Sequence, residues 1–392
     1  MNRTSPVVRL ETVCAAGIRP GLRRMRQLLQ RLGHPERGLN FIHIAGTNGK
    51  GSTAAAVDSI LRAAGFTPGL YTSPHLVDFR ERFRVGGRPV DPTALERELR
   101  PLLRRIRRMP AADRPTFFEA ATALALGIFR VARVDFVVWE TGLGGRLDAT
   151  NVVKPELCLL TSLGRDHEEI LGSGFGKIGR EKAGILKRGV PVFSAPWPPA
   201  AHRVLARRAK SLRCPWKIIR PLAPGRFPLK GKHQRQNAAL AVAAARYLSF
   251  PESLIRRGLE QTRWPARFME LRKKPRLVLD SAHNVEGVTA ALRTWRASHG
   301  SGPSRVIFGC LKDKAVGPML QKIRRECGQL WGVILPGARG SDPLAWPRSP
   351  DRFFGSVAEA MDEEESNPRD TLVLGSLVLA GEVLRQRGTK VA

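Results

Sequence analysis

Acidic residues are scarce in this sequence: 34 Asp and Glu stand against 66 Lys and Arg over 392 residues, a formal charge of +32. Aromatic side chains make up only 6%, too few for the stacked platforms of a single-strand nucleic-acid binder. The five cysteines, Cys14, Cys158, Cys214, Cys310 and Cys327, form no C-x-x-C pair. That argues against a zinc or dithiol redox centre and for reduced, mostly buried thiols. No run of about 18 apolar residues exists to span a bilayer. The start, MNRTSPVVRLETV, lacks an apolar signal core, so a cytoplasmic protein with no membrane partner is expected. No short-period repeat is present. What the chain does have is 42% hydrophobic residues, enough to bury a core and to exclude disorder.

The basic excess is dispersed over LRRMRQLLQR, LRPLLRRIRR, ARRAK, SLIRR and KIRR. At helical spacing these read as solvated helix faces rather than a nucleic-acid groove, so no nucleic-acid partner is expected. The same field attracts an anionic substrate.

From Phe41 onward, short apolar runs ending in Gly, Ser or Thr (FIHIAG, GLYTSP, VDFVVWETG, LCLLTSLG, VPVFSAP) alternate with helical stretches. This is the pattern of a mostly parallel sheet covered on both faces, an α/β fold. Residues 197 to 230 break the pattern, being rich in Pro and basic residues, and an Ala-rich helix follows at Asn237. A second α/β series runs through RLVLDSAHN, SRVIFGC, LWGVILP and DTLVLGS. The expected organisation is therefore a larger α/β domain over 1–265 and a smaller Rossmann-like domain over 266–392.

The sharpest local signal is FIHIAGTNGKGSTAAAVDSIL, a strand, a Gly-rich turn and a helix. Gly46, Gly49 and Gly51 let backbone amides face a phosphate, Lys50 supplies a cation, and Ser52 or Thr53 offers a hydroxyl to Mg2+. The spacing departs from G-x-x-x-x-G-K-[ST]: Ile44 replaces the first Gly, and Gly51 is inserted after Lys50. Glu140 and the Asp166-His167 pair end apolar runs, where an open parallel sheet delivers side chains to its ligand crevice. Taken alone, His167 reads as a structural histidine, Lys182 as a helix-surface lysine, and TSP at 72 to 74 as a turn.

This loop, with Thr47 and Asn48 inside it, resembles that of the Mur ligase superfamily, specifically its folate branch of dihydrofolate and folylpolyglutamate synthases. The resemblance continues in order through TSPHL, FFEAATALAL, ETGLGGRLDATN, TSLGRDHEEILG, IGREKAGILK, the Asn237 helix, WPARFME and DSAHN. It implies that ATP is held by Thr47, Asn48, Gly49, Lys50, Gly51, Ser52, Asn237, Arg267, Asp280 and His283. It implies two Mg2+ sites drawn from Ser52, Ser73, Glu140, His167 and a CO2-carbamylated Lys182, with K+ as a further cofactor, and a cis Ser73–Pro74 bond. Lys50, Lys182 and His167 are the catalytic candidates. Thr116, Leu147, Asp148 and Ala149 would line the pterin pocket, and the basic loop RERFRVGG at 80 to 87 would face phosphate or glutamate carboxylates.

Three positions depart from the family pattern: Arg19 stands where bifunctional members often have Asp, Ala266 where Gly is usual, and Ser281 where Gly or Val is commoner. The implied activity is ATP-dependent addition of L-glutamate to dihydropteroate, and of γ-linked glutamates to reduced folates, by a monomer working through an acyl phosphate. Alternatives are a folylpolyglutamate synthase only, a cell-wall ligase, for which the 45 residues before the loop leave no UDP-binding domain, and a nucleic-acid-stimulated P-loop ATPase.

Overall fold

The computed structural model describes residues 5–337 and 340–389. Among them the chain forms two sheets. The first contains β1 (Phe41–Ala45), β2 (Gly69–Tyr71), β3 (Phe83–Val85), β4 (Arg88–Pro89), β5 (Val137–Glu140), β6 (Leu157–Leu160), β7 (Val192–Ser194) and β8 (Trp216–Ile218), in the order β4-β3-β2-β5-β1-β6-β7-β8. The second contains β9 (Met269–Lys273), β10 (Arg276–Leu279), β11 (Arg305–Phe308), β12 (Gln329–Val333), β13 (Arg352–Phe354) and β14 (Thr371–Leu374), in the order β13-β12-β11-β14-β10-β9. Pairing is parallel except for β2 with β3, β3 with β4, and β9 with β10. The α/β reading holds.

Register places the site. β1 lies between β5 and β6, with Ile44 opposite Glu140 and Ala45 opposite Leu160, and Tyr71 of β2 lies opposite Trp139. Because these strands run the same way, the segments that follow them emerge together at one edge, where the strand order switches. The strands are fixed by burial on both faces. Ile42, Ile44, Val138, Leu157 and Leu159 pack against Val57, Ile60 and Ala241 on one side. Phe41 and Trp139 meet edge to face at 5.5 Å on the other. Each such large side chain stabilises the fold by roughly 1.5–3 kcal/mol. Small residues let helices approach closely: a Cβ on Gly258 would lie 2.4 Å from Ile60 Cα, and Ser59 Oγ donates to the Gly258 carbonyl at 2.7 Å.

The structure corrects three local readings. The Ala-rich helix begins at Lys232, not at Asn237, so Asn237 sits inside it. Residues 197 to 230 hold a helix, Pro199–Ser211, whose Ala201, Leu205 and Ala209 are buried, and strand β8. Their short apolar stripe is masked by Arg and Lys on the solvent face. Finally, RERFRVGG is no open basic loop. Arg82 and Arg84 are buried, and Asp78 with Glu81 forms a capping box for the turn Phe79–Arg82. All five cysteines are free, with burial raising every thiol pKa. No helix among the described residues is long and apolar enough to cross a membrane.

Candidate active site

The turn after β1 is shaped by close approach. Gly46 and Gly49 have φ of +155° and +89°, and a Cβ on Gly49 would lie 2.2 Å from Asn237 Oδ1. Thr47 donates its amide to the Ser162 carbonyl at 2.9 Å and its hydroxyl to the Gly164 carbonyl at 3.1 Å. The helix Lys50–Ala63 starts there with no side-chain cap, so its first amides remain free for an anion. Lys50 Nζ folds back onto the carbonyls of Gly46 and Thr47, 3.2 Å from each. Ser52 Oγ is buried with no protein partner.

Lys182 is not on the surface. It ends the helix Phe175–Lys182, is 4% exposed, and donates to the Gly46 carbonyl at 2.9 Å. Burial, then the charge of Lys50, lowers its pKa to about 7. Glu140, at the end of β5, is pushed up to about 7 by burial, opposed by Lys50 and by the Ser73 amide, which reaches it at 3.3 Å. The Ser73–Pro74 bond is cis. An oxygen-rich set of Glu140, Ser52 and Ser73, with an orphaned buried hydroxyl among them, fits a hard cation such as Mg2+.

After β6 the chain carries Asp166 and His167, the latter at φ +53°. Burial works against the Asp166 charge, but His283, His167 and Lys314 together hold its carboxyl well below the usual range. Lys314 Nζ lies 2.8 Å from Asp166 and 3.3 Å from His167 Nε2. Asn284 donates to Asp166 at 3.3 Å and exchanges hydrogen bonds with Asn48. The Arg165 amide reaches Glu286 at 3.2 Å. Residues after β10 and β11 thus close over the phosphate loop. His167, Glu169 and Asp313 offer ligand atoms within 4.8 Å of one another, a group that does not include Glu140. Asp280 spends its two oxygens on the amides of Phe268 and Ala282, both at 2.8 Å, and the following helix, Val285–His299, is capped instead by Asn284, which accepts from the Gly287 amide at 2.9 Å.

These features line one cavity of about 330 Å³, which brings together Thr47, Asn48, Gly49, Lys50, Gly51, Ser52, Ser73, Glu140, His167, Lys182, Asn237, Arg267, Asp280 and His283. Ala266 is buried at φ +53°. Glycine takes that left-handed conformation freely and alanine at a cost of roughly 1 kcal/mol, which accounts for the usual Gly.

A second cavity, about 490 Å³, holds Thr116, Leu147, Asp148 and Ala149 together with Phe117, Phe118, Arg82 and Arg19. Thr116 and Glu119 form the capping box of the helix Phe117–Ala132, and Glu119 is held by Arg24 at 3.1 Å. Asp148 accepts from the Leu143 amide and from Thr150. Arg82 lies 5.7 and 5.5 Å from the rings of Phe79 and Phe117, its Nε 2.9 Å from His75 Nδ1. Ser73, Pro74, Gly142, Leu143 and Leu171 border both cavities.

Arg82, which lines the second cavity, lies in the basic segment RERFRVGG expected to face an anion, and Asn284 closes the motif DSAHN. Lys314 and Glu286 carry no such signal in the sequence.

A phosphate loop at the switch point of one mostly parallel sheet, covered by a second α/β unit and opening onto a partly aromatic cavity, defines a two-domain nucleotide-dependent ligase with a Mur-ligase-like fold. No family model matches the chain. It is 34% identical to the dihydrofolate synthase/folylpolyglutamate synthase of Bacillus subtilis, over 94% of this chain and 95% of that protein. It is 32% identical to the folylpolyglutamate synthase of Lacticaseibacillus casei, over 98% of each. The structure of E. coli FolC in complex with DHPP and ADP superposes with a TM-score of 0.86 at 29% identity, covering 98% of this chain and 97% of that one. The chain belongs to the dihydrofolate synthase/folylpolyglutamate synthase family of ATP-dependent ligases.

Proposed function

We propose that this protein joins the amine of L-glutamate to the carboxylate of dihydropteroate, and further γ-linked glutamates to reduced folates, at the expense of ATP. The observation that carries this reading is the shared wall of Ser73, Pro74, Gly142, Leu143 and Leu171 between the two cavities. A nucleotide on the phosphate-loop side meets there the carboxylate of an acid whose ring system lies by Phe117 and Phe118. The binding of both DHPP and ADP by the E. coli relative supports the same assignment.

Amide formation from a carboxylate is uphill in water. Transfer of the γ-phosphoryl group to the carboxylate gives an acyl phosphate and ADP; glutamate nitrogen then attacks the carbonyl carbon, the C–O bond to phosphate breaks, and the amine proton is lost to solvent. Lys50 and the free amides of the Lys50–Ala63 helix stabilise charge on the moving phosphoryl group. Thr47, Asn48, Gly49, Gly51, Asn237, Arg267, Asp280 and His283 hold the nucleotide in this reading, and Thr116, Leu147, Asp148 and Ala149 the pterin end.

Ser52, Ser73, Glu140, His167 and Lys182 are the residues that would hold Mg2+, which when bound supplies charge neutralisation on the phosphoryl oxygens. The burial that brings the Lys182 pKa to about 7 supports a neutral amine able to add CO2, forming an N–C bond and releasing a proton. The division into a ligase domain of residues 1–265 and a Rossmann-like domain of 266–392 belongs to the same proposal and is supported by two sheets lying on either side of it.

The test is phosphate release from Mg-ATP with L-glutamate, comparing 7,8-dihydropteroate, tetrahydrofolate and no pterin, with product masses measured. Release with both pterins is the expected result. Release with one alone assigns a single synthase activity, and no pterin dependence sinks the proposal.

A further inference from the structure

Gly51, the residue inserted between Lys50 and Ser52, lies outside the left-handed region, so backbone conformation does not require glycine there. Space does. A Cβ at Gly51 would lie 2.8 Å from Trp264 Nε1, 3.3 Å from Cε2 and 3.4 Å from Cζ2. The indole cannot simply retreat. It packs against the buried cluster that includes Ile44, Val57 and Ile60. The Arg84 guanidinium carbon lies 5.4 Å from its ring, and Arg84 is itself buried, donating to the Gly87 carbonyl at 3.4 Å.

Trp264 also opens the linker that carries Arg267, and the far end of that linker is clamped to the second sheet. Ser281 gives both its amide and its hydroxyl to the Ala266 carbonyl at 3.0 Å, and Asp280 takes the Phe268 amide at 2.8 Å. One five-residue segment therefore touches the phosphate loop at one end and the strand end of β10 at the other.

We propose that Trp264 is a positioning residue for the nucleotide: its indole fixes the first turn of the phosphate-loop helix against the linker, so that Lys50, Ser52 and Arg267 keep one geometry. The inserted glycine is the complement of that indole. This inference rests on the nucleotide-site part of the proposed function and is independent of the acid substrate.

The experiment is calorimetric titration of the full-length protein with Mg-ADP, which needs no pterin. Wild-type binding comes first, since its absence would sink the nucleotide site itself before any variant is made. Gly51→Ala is expected to weaken binding about tenfold or more, because the added methyl overpacks the contact with the indole and shifts the first turn of the helix. Trp264→Ala weakens it as well, whereas Trp264→Phe, which keeps a ring in place, stays near wild type. The double variant Gly51→Ala/Trp264→Ala recovers affinity relative to Gly51→Ala, because the new methyl enters the space the indole left. In turnover assays the KM for ATP rises in Gly51→Ala and Trp264→Ala while that for L-glutamate does not. Additive losses in the double variant, or wild-type affinity in Gly51→Ala, overturn the proposal. Should Gly51→Ala fail to fold, equal Mg-ADP affinity of Trp264→Ala and wild type overturns it too.

Discussion

Two carboxylates follow strands that flank β1, and their environments drive them in opposite directions. Among the described residues, Glu140 is buried with a backbone amide, that of Ser73, as its hydrogen-bond partner and is pushed up to about 7 by burial. Asp166 is also largely buried, yet its carboxyl sits far below the usual range because His283, His167 and Lys314 surround it. The first feels Lys50 and Arg267 through their charges and lines the phosphate-loop cavity together with the unpartnered Ser52 hydroxyl. The second already has charged partners, and two of them, His283 and Lys314, follow strands of the other sheet. The two carboxylates thus serve different ends: Glu140, the last residue of β5, faces the phosphate-loop cavity, while Asp166, in the loop after β6, ties the second unit to that loop.

Glu140→Gln, isosteric but uncharged, breaks the comparison most sharply. Ligase turnover is expected to fall about 100-fold or more, the scale of losing one charge-stabilising group, while the melting temperature holds or rises. A steady-state assay over a Mg2+ series with parallel melting curves checks both, and undiminished turnover at saturating Mg2+ would remove Glu140 from the site.

Asp166→Asn should do the converse and cost stability. Losing charge-assisted hydrogen bonds is worth roughly 1.5–3 kcal/mol, read as a lower denaturant midpoint together with weaker nucleotide binding. A midpoint equal to wild type would mean that the Asp166 contacts contribute nothing to closure.

The pH dependence without metal separates Glu140 from Lys182. Glu140 has a folded pKa above its unfolded value of 4.5, so the folded state binds the extra proton and stability falls as pH rises from about 4.5 to 7. Lys182 has a folded pKa below its unfolded value of 10.5, so its penalty is full below about 7 and is relieved as pH rises toward 10.5. Chemical denaturation in EDTA across this range should show the low-pH slope flatten in Glu140→Gln and the high-pH slope flatten in Lys182→Met. The smallest effect is expected for Lys314→Met. It leaves Asp166 with His283 and Asn284, so a loss of roughly 1 kcal/mol is expected, and a loss matching Asp166→Asn would mean that Lys314 alone carries the contact.

The phosphate loop was legible because it is local: glycines, a lysine and hydroxyls on one strand-to-helix turn. Short apolar runs likewise revealed most parallel strands. β8 and the Pro199–Ser211 helix escaped because few apolar residues mark them among many basic ones. Lys182 looked like a surface residue because the carbonyl that receives it belongs to Gly46, 136 positions earlier. Arg82 and Arg84 looked exposed because their aromatic neighbours, Phe117 and Trp264, lie far along the chain.

The sequence alone determined the α/β class, the phosphate loop and, through ordered motifs, the family resemblance, since each depends on neighbours within a few residues or on order along the chain. Only the tertiary structure decided which charges are buried, which carboxylate is already paired, and why a glycine follows Lys50. Desolvation and close packing depend on groups that meet only when distant segments fold together.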